Sequence, residues 1–483
     1  MMKTISGYMY YPDSLTEADG ITYFLVRSEE DNQKYLGVIG AAGDLHGGRG
    51  VAGDSSATTH VFPLSPENAA VLRERLPWLR AQPLGLCTTA GFGDRLGLAT
   101  PGHIRAVAGT GILPIFAQQS VRENARTHRT PQQVMDDAMW GVFQTGWRQP
   151  WGADADHLKT TADVDSFFDA GFTFFTIDPG DHVDNAAQED TLDVLRGKVA
   201  ALPWEALDTT VEEARARYLG KSFQIGDFSI TLDETQLLRA LAKYGRALAH
   251  TTRMAARLEE RAGGKEYDLE VSVDETATPT SIEEHFLIAS ELKRLGIRWS
   301  SMAPRFVGRF EKGVDYIGDL AEFEREFIRH AAIAKFFGSY RLSLHSGSDK
   351  FSIYAIAAKH TGNLVHLKTA GTSYLEALRV IASADTALFR KIFQLAVERY
   401  EEDRASYHVS ADLSKVRKPE ALSDEDLADL LNQFDARQVF HVTFGAALDR
   451  FGPELMDSLR ANENLYYEAL AAHFQKHLAP LKG

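Results

Sequence analysis

The chain has 483 residues, a formal charge of −15, and 44% hydrophobic against 25% charged residues. That is the balance of a globular protein with a sizeable interior, and it excludes global disorder. The negative charge, with no dense Lys/Arg run to offset it, argues against nucleic acid as a partner, although a few cations in one cleft suffice for a small anionic substrate. The single cysteine, Cys87, excludes an intrachain disulfide and any zinc site with two thiolates, so a metal must use His, Asp or Glu.

The first residues, Met1 to Ser6, lack an apolar signal region, and no run of about 18 apolar residues occurs. The expectation is therefore a cytoplasmic protein with no membrane partner. Residues 1–80 read as an N-terminal cap of short strand-like pieces, with the glycine-rich stretch Gly47–Gly53 expected as a mobile loop.

From Leu84 to Ser373 short β-rich runs end in polar clusters and alternate with helical patterns, the signature of a parallel sheet. Eight runs can be read: Leu84–Thr88, Ile112–Gln118, Gly152–Asp156, Phe172–Asp178, Leu269–Asp274, Ile297–Met302, Arg341–His345 and Leu364–Thr369. Eight is the number that closes a TIM (β/α)8 barrel, an α/β fold, here placed at residues 81–375. The third is the weakest by strand propensity.

Helices are expected at Pro101–Ala108, Pro131–Gln144, Asp163–Asp169, Ser281–Leu295 and Asp319–Phe337, with Ser281 and Glu284 spaced as a capping box. Residues 183–267, helical from Gln236 to Arg261, read as an insertion between the fourth and fifth strands that covers the site or joins subunits, so a homo-oligomer is allowed for. Residues 376–483 read as a helical extension, with helices at Glu376–Arg399, Asp424–Gln433 and Leu455–His477.

A TIM barrel gathers its chemistry at the C-terminal ends of its strands. His157, His345 and His366 fall there and are the expected ligands of a divalent cation of zinc, manganese or nickel type. One such histidine alone is ordinarily a satisfied core or surface side chain; three at strand ends favour a metal. Asp156 and Glu270 are the expected acid/base pair, with Asp178 and Asp274 in reserve. Gln118, Gln119, Arg122, Arg305, Ser346, Ser348, Lys350 and Lys368 follow strand ends and are candidates to bind substrate. Gly91-Phe92-Gly93 does not continue as a dinucleotide fingerprint, and no P-loop, nucleophile elbow or H-E-x-x-H occurs.

The blocks Phe116–Asn124, Gly152–His157, Glu270–Thr276, Ser343–Phe351 and Lys368–Tyr374 resemble those of bacterial tagaturonate epimerases. The resemblance implies a metal-dependent isomerase that interconverts D-tagaturonate and D-fructuronate at C3, by retro-aldol and aldol steps, and it supports the same ligands and acid/base pair. Relatives of that family are similar to enzymes acting on neutral ketohexoses, which leaves a fructose/tagatose 4-epimerase as the alternative substrate reading. A metal-dependent aldolase-type lyase is the alternative reaction.

Overall fold

The computed structural model of the chain describes residues 5–51 and 59–482. At its start, β1 (Tyr8–Ala18), β2 (Ile21–Ser28), β3 (Lys34–Ile39), β4 (Arg49–Val51) and β5 (Thr59–Pro63) form one antiparallel sheet in the order β1-β2-β3-β5-β4. Within the stretch expected to be a loop, Arg49–Val51 pairs with β5 as an edge strand. Ala52 and Gly53 lie outside the described residues.

The barrel follows. Its first half is β6 (Thr89–Gly93), β7 (Leu113–Ser120), β8 (Gly152–Leu158) and β9 (Phe174–Ile177). A small hairpin, β10 (Ser222–Ile225) with β11 (Phe228–Thr231), intervenes, and β12 (Asp268–Val273), β13 (Ser301–Pro304), β14 (Arg341–Leu344) and β15 (Val365–Lys368) complete the ring. All eight barrel strands are parallel, and β15 pairs with β6 to close it.

The first strand and the bounds of the insertion differ from the sequence expectation, and the helix expected at Glu376–Arg399 is broken at Asp385, between Thr372–Ala384 and Thr386–Asp403. The first strand is Thr89–Gly93 and not Leu84–Thr88. A Cβ at Gly91 would meet Gln118 Oε1 at 2.6 Å and one at Gly93 would meet Ala370 Cα at 2.9 Å, so these glycines are what let neighbouring chain approach the first strand. Leu84 and Gly85 instead close the bottom of the barrel, donating their N–H groups to Asp268 Oδ2 at 2.8 and 3.1 Å. Secondly, helix Glu234–Ala262 packs beside helices Thr161–Asp169 and Ile282–Arg294 as the barrel's own fourth helix. The true excursion is thus residues 183–233, whose apolar side chains pack on the outer helices through Leu237, Ile282, Phe286 and Ile333.

Local chemistry starts the helices where the sequence places them. Thr130 with Gln133, Thr160 with Asp163 and Ser281 with Glu284 form reciprocal capping boxes, each cap stabilising by about 1 kcal/mol. Beyond the barrel, helices Thr386–Asp403, Phe434–Val442, Phe444–Ala461 and Glu463–Leu478 form the C-terminal layer. No helix among the described residues is long and apolar enough to cross a membrane.

The barrel interior is unusual in its composition. Such interiors are ordinarily filled by Val, Ile and Leu. Here Gln118, Asp154, Asp156, Thr176, Asp268, Glu270, Ser301, Arg341, Ser343, His366 and Lys368 are buried, and the contacts below place most of them against one another across the ring.

Candidate active site

The interior is organised by two buried cations at different depths. At the bottom, Arg341 Nη2 lies 3.2 Å from Asp268 Oδ1 and donates to Ser300 Oγ at 2.8 Å, while its Nη1 donates to Gly85 O at 2.8 Å. At the top, Lys368 ends β15 and gathers three carboxylates. Its Nζ lies 2.7 Å from Asp156 Oδ1, 2.9 Å from Asp154 Oδ2 and 3.1 Å from Glu270 Oε1, and it donates to Thr176 Oγ1 at 2.7 Å. Burial alone would push the lysine down, but Asp154, Asp156 and Glu270 outweigh it and hold the ammonium charged. Burial likewise opposes ionisation of Glu270 and Asp156, and Lys368 reverses it, holding both well below the usual carboxylate range.

Above Lys368 stand two imidazoles. His345 Nδ1 is 3.2 Å from Glu270 Oε1, and its Nε2 is 2.8 Å from His157 Nε2 and 3.2 Å from Asp156 Oδ1. His157, in the left-handed region at φ +53°, turns its Nδ1 to Asp178 Oδ2 at 2.9 Å. Burial works against a second proton on His345, but Asp274 and Asp156 raise its proton affinity, and the ring is pushed up to about 10. Burial also opposes ionisation of Asp178, but the hydrogen bond from His157 holds it down at about 2.

These groups fit a divalent cation by their donor chemistry. Asp156, His157 and His345 each offer a ligand atom within 4.8 Å of the others. Both rings anchor their far nitrogen on a carboxylate and aim Nε2 at the same space, the orienting arrangement usual behind metal-bound histidines. The proton that His345 holds so firmly is one that a cation would displace. Glu275, whose Oε1 is 3.8 Å from His157 Nε2, is a further carboxylate at this edge.

Not every expected residue joins them. His366 lies two residues before Lys368 on β15, its Nδ1 bonded to Thr89 Oγ1 at 2.7 Å and its ring on Phe174. Its Nε2 is 3.8 Å from Asp154 Oδ2 and has no hydrogen-bond partner, and it falls outside the Asp156, His157, His345 group. Gln118 pairs in register with Asp154 and Gln119 with Ala155, so their side chains leave the sheet on opposite faces, and Gln119 points away from the interior. Lys350, expected to bind substrate, instead directs its Nζ to Glu311 O, Val314 O and Ser348 O at 2.8, 2.6 and 2.8 Å.

A cavity of about 300 Å³ opens over His345 and Ser346. Arg122, Arg305, Arg309 and Lys312 line it against Asp274, Glu275 and Glu311, and Tyr407 to Ser410 form one wall. A smaller recess beside it reaches Asp156, His157 and His345 and is walled by Arg95, Glu123, Lys312, Tyr407 and His441. Neither cavity is lined by residues 183–267 or by Glu270. The sequence reading missed Lys312, which lies far along the loop after β13, and Tyr407 and His441, which follow no strand end; none of the three carries a local motif.

A family model described as tagaturonate epimerase matches residues 11–481. The chain is 44% identical over 486 aligned positions to a tagaturonate/fructuronate epimerase of Thermotoga maritima, covering 99% of this chain and 98% of that one. It is also similar, at 40% identity, to crystal structures of a fructuronate-tagaturonate epimerase from Cohnella laeviribosi. A glycerol complex aligns with a TM-score of 0.91 over 98% of this chain and 96% of that one; the native form aligns with 0.92 over 99% and 97%.

Proposed function

The chain belongs to the tagaturonate epimerase family, and we propose that it interconverts D-tagaturonate and D-fructuronate at the cavity above His345. The observation that carries this reading is the centre formed by Asp156, His157 and His345 beneath a cavity wall in which four cations face three carboxylates. That wall favours an acid over a neutral ketohexose.

The two uronates differ at C3, counted from the carboxylate, and the ketone is at C5. The inverted carbon is β to the carbonyl, so enolisation does not acidify its C–H. Reversible cleavage of C3–C4 does invert it. The C3 hydroxyl loses its proton as C3 becomes an aldehyde, and the C3–C4 electron pair moves to C4 and is shared with the C5 carbonyl. The aldehyde then turns its other face, and the bond re-forms.

His157 and His345 would hold a divalent cation, with Asp156 and Glu275 the carboxylates at hand, and such a cation would supply Lewis-acid polarisation of the ketone. Asp156 faces the recess and takes the C3 hydroxyl proton. Glu270 touches Lys368 Nζ and His345 Nδ1, so it acts on Asp156 through the shared lysine. Arg122, stacked over the Tyr407 ring at 5.3 Å, and Ser346 orient the substrate from the rim.

The test is a carbon-13 NMR time course on metal-reconstituted protein with D-tagaturonate and, separately, D-fructose, beside a chelated control. Fructuronate appearing only in the reconstituted sample is the expected outcome. Tagatose formed from fructose with no turnover of the acid would move the activity to ketohexoses, and accumulation of three-carbon fragments would make the protein a lyase.

A further inference from the structure

The cations around the cavity differ in their partners. Arg122 Nη2 is 3.3 Å from Glu275 Oε1, and Arg309 Nη1 is 3.2 Å from Glu311 Oε1. The other oxygen of Glu311 accepts from Ser410 Oγ and Gln438 Nε2 at 2.7 and 2.8 Å. Arg305 and Lys312 have no carboxylate oxygen within 4 Å among the described residues, and Lys312 Nζ donates only to Ser346 Oγ, at 3.1 Å, beside His345. Asp274 acts on Arg305, and Lys312 on Glu275, only at longer range, so these two cations, with no carboxylate in direct contact on the wall of a half-enclosed cavity, are the ones free to pair with an anion.

The backbone under Lys312 is held unusually firmly. Lys350, fully buried, bonds the carbonyls of Glu311 and Val314, and Arg437 Nε bonds that of Gly313 at 2.6 Å. The third proton of Lys350 goes to Ser348 O, in the loop that begins at His345. A further bridge between Arg309 and Ile317 closes the base of the segment. Carbonyls on both sides of Lys312 are thus tied to the His345 loop by the buried Lys350 and Arg437 side chains, which fixes the backbone from which Lys312 reaches Ser346 beside His345. Such preorganisation is what binding a charged terminus at a set distance from the reacting carbons requires.

We infer that Lys312, assisted by Arg305, binds the carboxylate terminus of the substrate, and that Lys350 and Arg437 are positioning residues for Lys312. The inference rests on the uronate reading above and deepens it. In the cleavage scheme the carboxylate travels with the aldehyde fragment, so a single ammonium contact at C1 retains that fragment while leaving the C2–C3 bond free to rotate.

The test compares dissociation constants for D-tagaturonate and D-tagatose on metal-reconstituted wild type and K312M, by calorimetric titration. Wild type is expected to prefer the acid, and K312M to reduce the ratio of the two affinities at least tenfold, with R305M acting in the same direction by less. K350M is expected to lower the acid preference as well, although Lys350 lines neither cavity. A purely structural lysine would weaken both ligands alike, so the ratio separates the two roles even if K350M lowers the melting temperature. An unchanged ratio in K312M, or a wild type with no preference for the acid, overturns the inference. If wild type binds the acid preferentially but fails to epimerise it, the proposed activity falls while the carboxylate site stands.

Discussion

Two clusters in this molecule have the same ingredients and opposite character. Asp156, His157 and His345 lie at the barrel mouth; Asp349, His473 and His477 lie behind it, and both sets bring a carboxylate and two imidazoles within ligand distance. In the rear cluster every group is already satisfied. Asp349 accepts from His473 Nε2 at 2.6 Å and from Arg437 Nη2 at 3.0 Å, and its N–H donates to His477 Nε2 at 3.0 Å. His473 Nδ1 faces Glu376 Oε1 at 3.2 Å. At the mouth, two Nε2 atoms share one space on a cavity wall. Proximity of ligand types is therefore a weak argument for a metal site, and ring nitrogens directed at accessible space are a stronger one. The rear cluster is a clasp that fixes the C-terminal helix to the loop after β14.

The comparison breaks most visibly at His345. H345A is expected to lower epimerisation on the order of 1,000-fold, the scale of losing one charge-stabilising group, and to lower the metal bound per chain. H473A is expected to retain wild-type metal content, so elemental analysis of the two variants, showing the reverse pattern, would overturn the assignment.

A smaller effect is expected on the clasp itself. D349A leaves buried Arg437 and His473 with Glu376 as their one remaining carboxylate, and the cost is expected at the low end of that for a broken buried pair, about 3 kcal/mol. Urea denaturation measures it, and a loss under about 1 kcal/mol would mean that the clasp does not hold the tail.

The most gradual effect is in pH. Burial pushes His477 down to about 3, so between that value and the ordinary 6.5 the unfolded chain binds a proton that the folded one refuses. Stability therefore falls as pH falls through this window, by about 1.4 kcal/mol per pH unit for this group. H477Q is expected to flatten the acid limb of a stability-versus-pH curve by that slope, and an unchanged limb would show that His477 is protonated in the folded state.

Much of the fold was legible because period and punctuation agree. The capping boxes at Thr130, Thr160 and Ser281 sit where the helices begin, and β8, weak by propensity, forms because Ala153 and Ala155 are fully buried while Asp154 and Asp156 meet Lys368. The first strand was misplaced because its glycines, needed for close approach, depress the strand signal while Leu84, Leu86 and Cys87 imitate one. At the site, strand ends pointed to His157, His345 and Asp156, which the fold brings together. They also pointed to Lys368 and Lys350 as substrate contacts, and sequence does not reveal that buried carboxylates surround the first and nearby carbonyls the second. Lys312, Tyr407 and His441 were invisible for the opposite reason: they reach the cavity from long loops and the C-terminal layer, and only tertiary packing brings them there.

The ionic filling of the barrel has a consequence for how this protein changes over time. An aliphatic interior drifts one methylene at a time, each step tolerable by itself. A buried charge network does not, because removing Lys368 leaves Asp154, Asp156 and Glu270 facing one another without their shared ammonium in a medium that cannot solvate them. New specificities should therefore arise at the rim, where Arg305 and Lys312 stand, while the interior changes only through compensated exchanges of whole pairs.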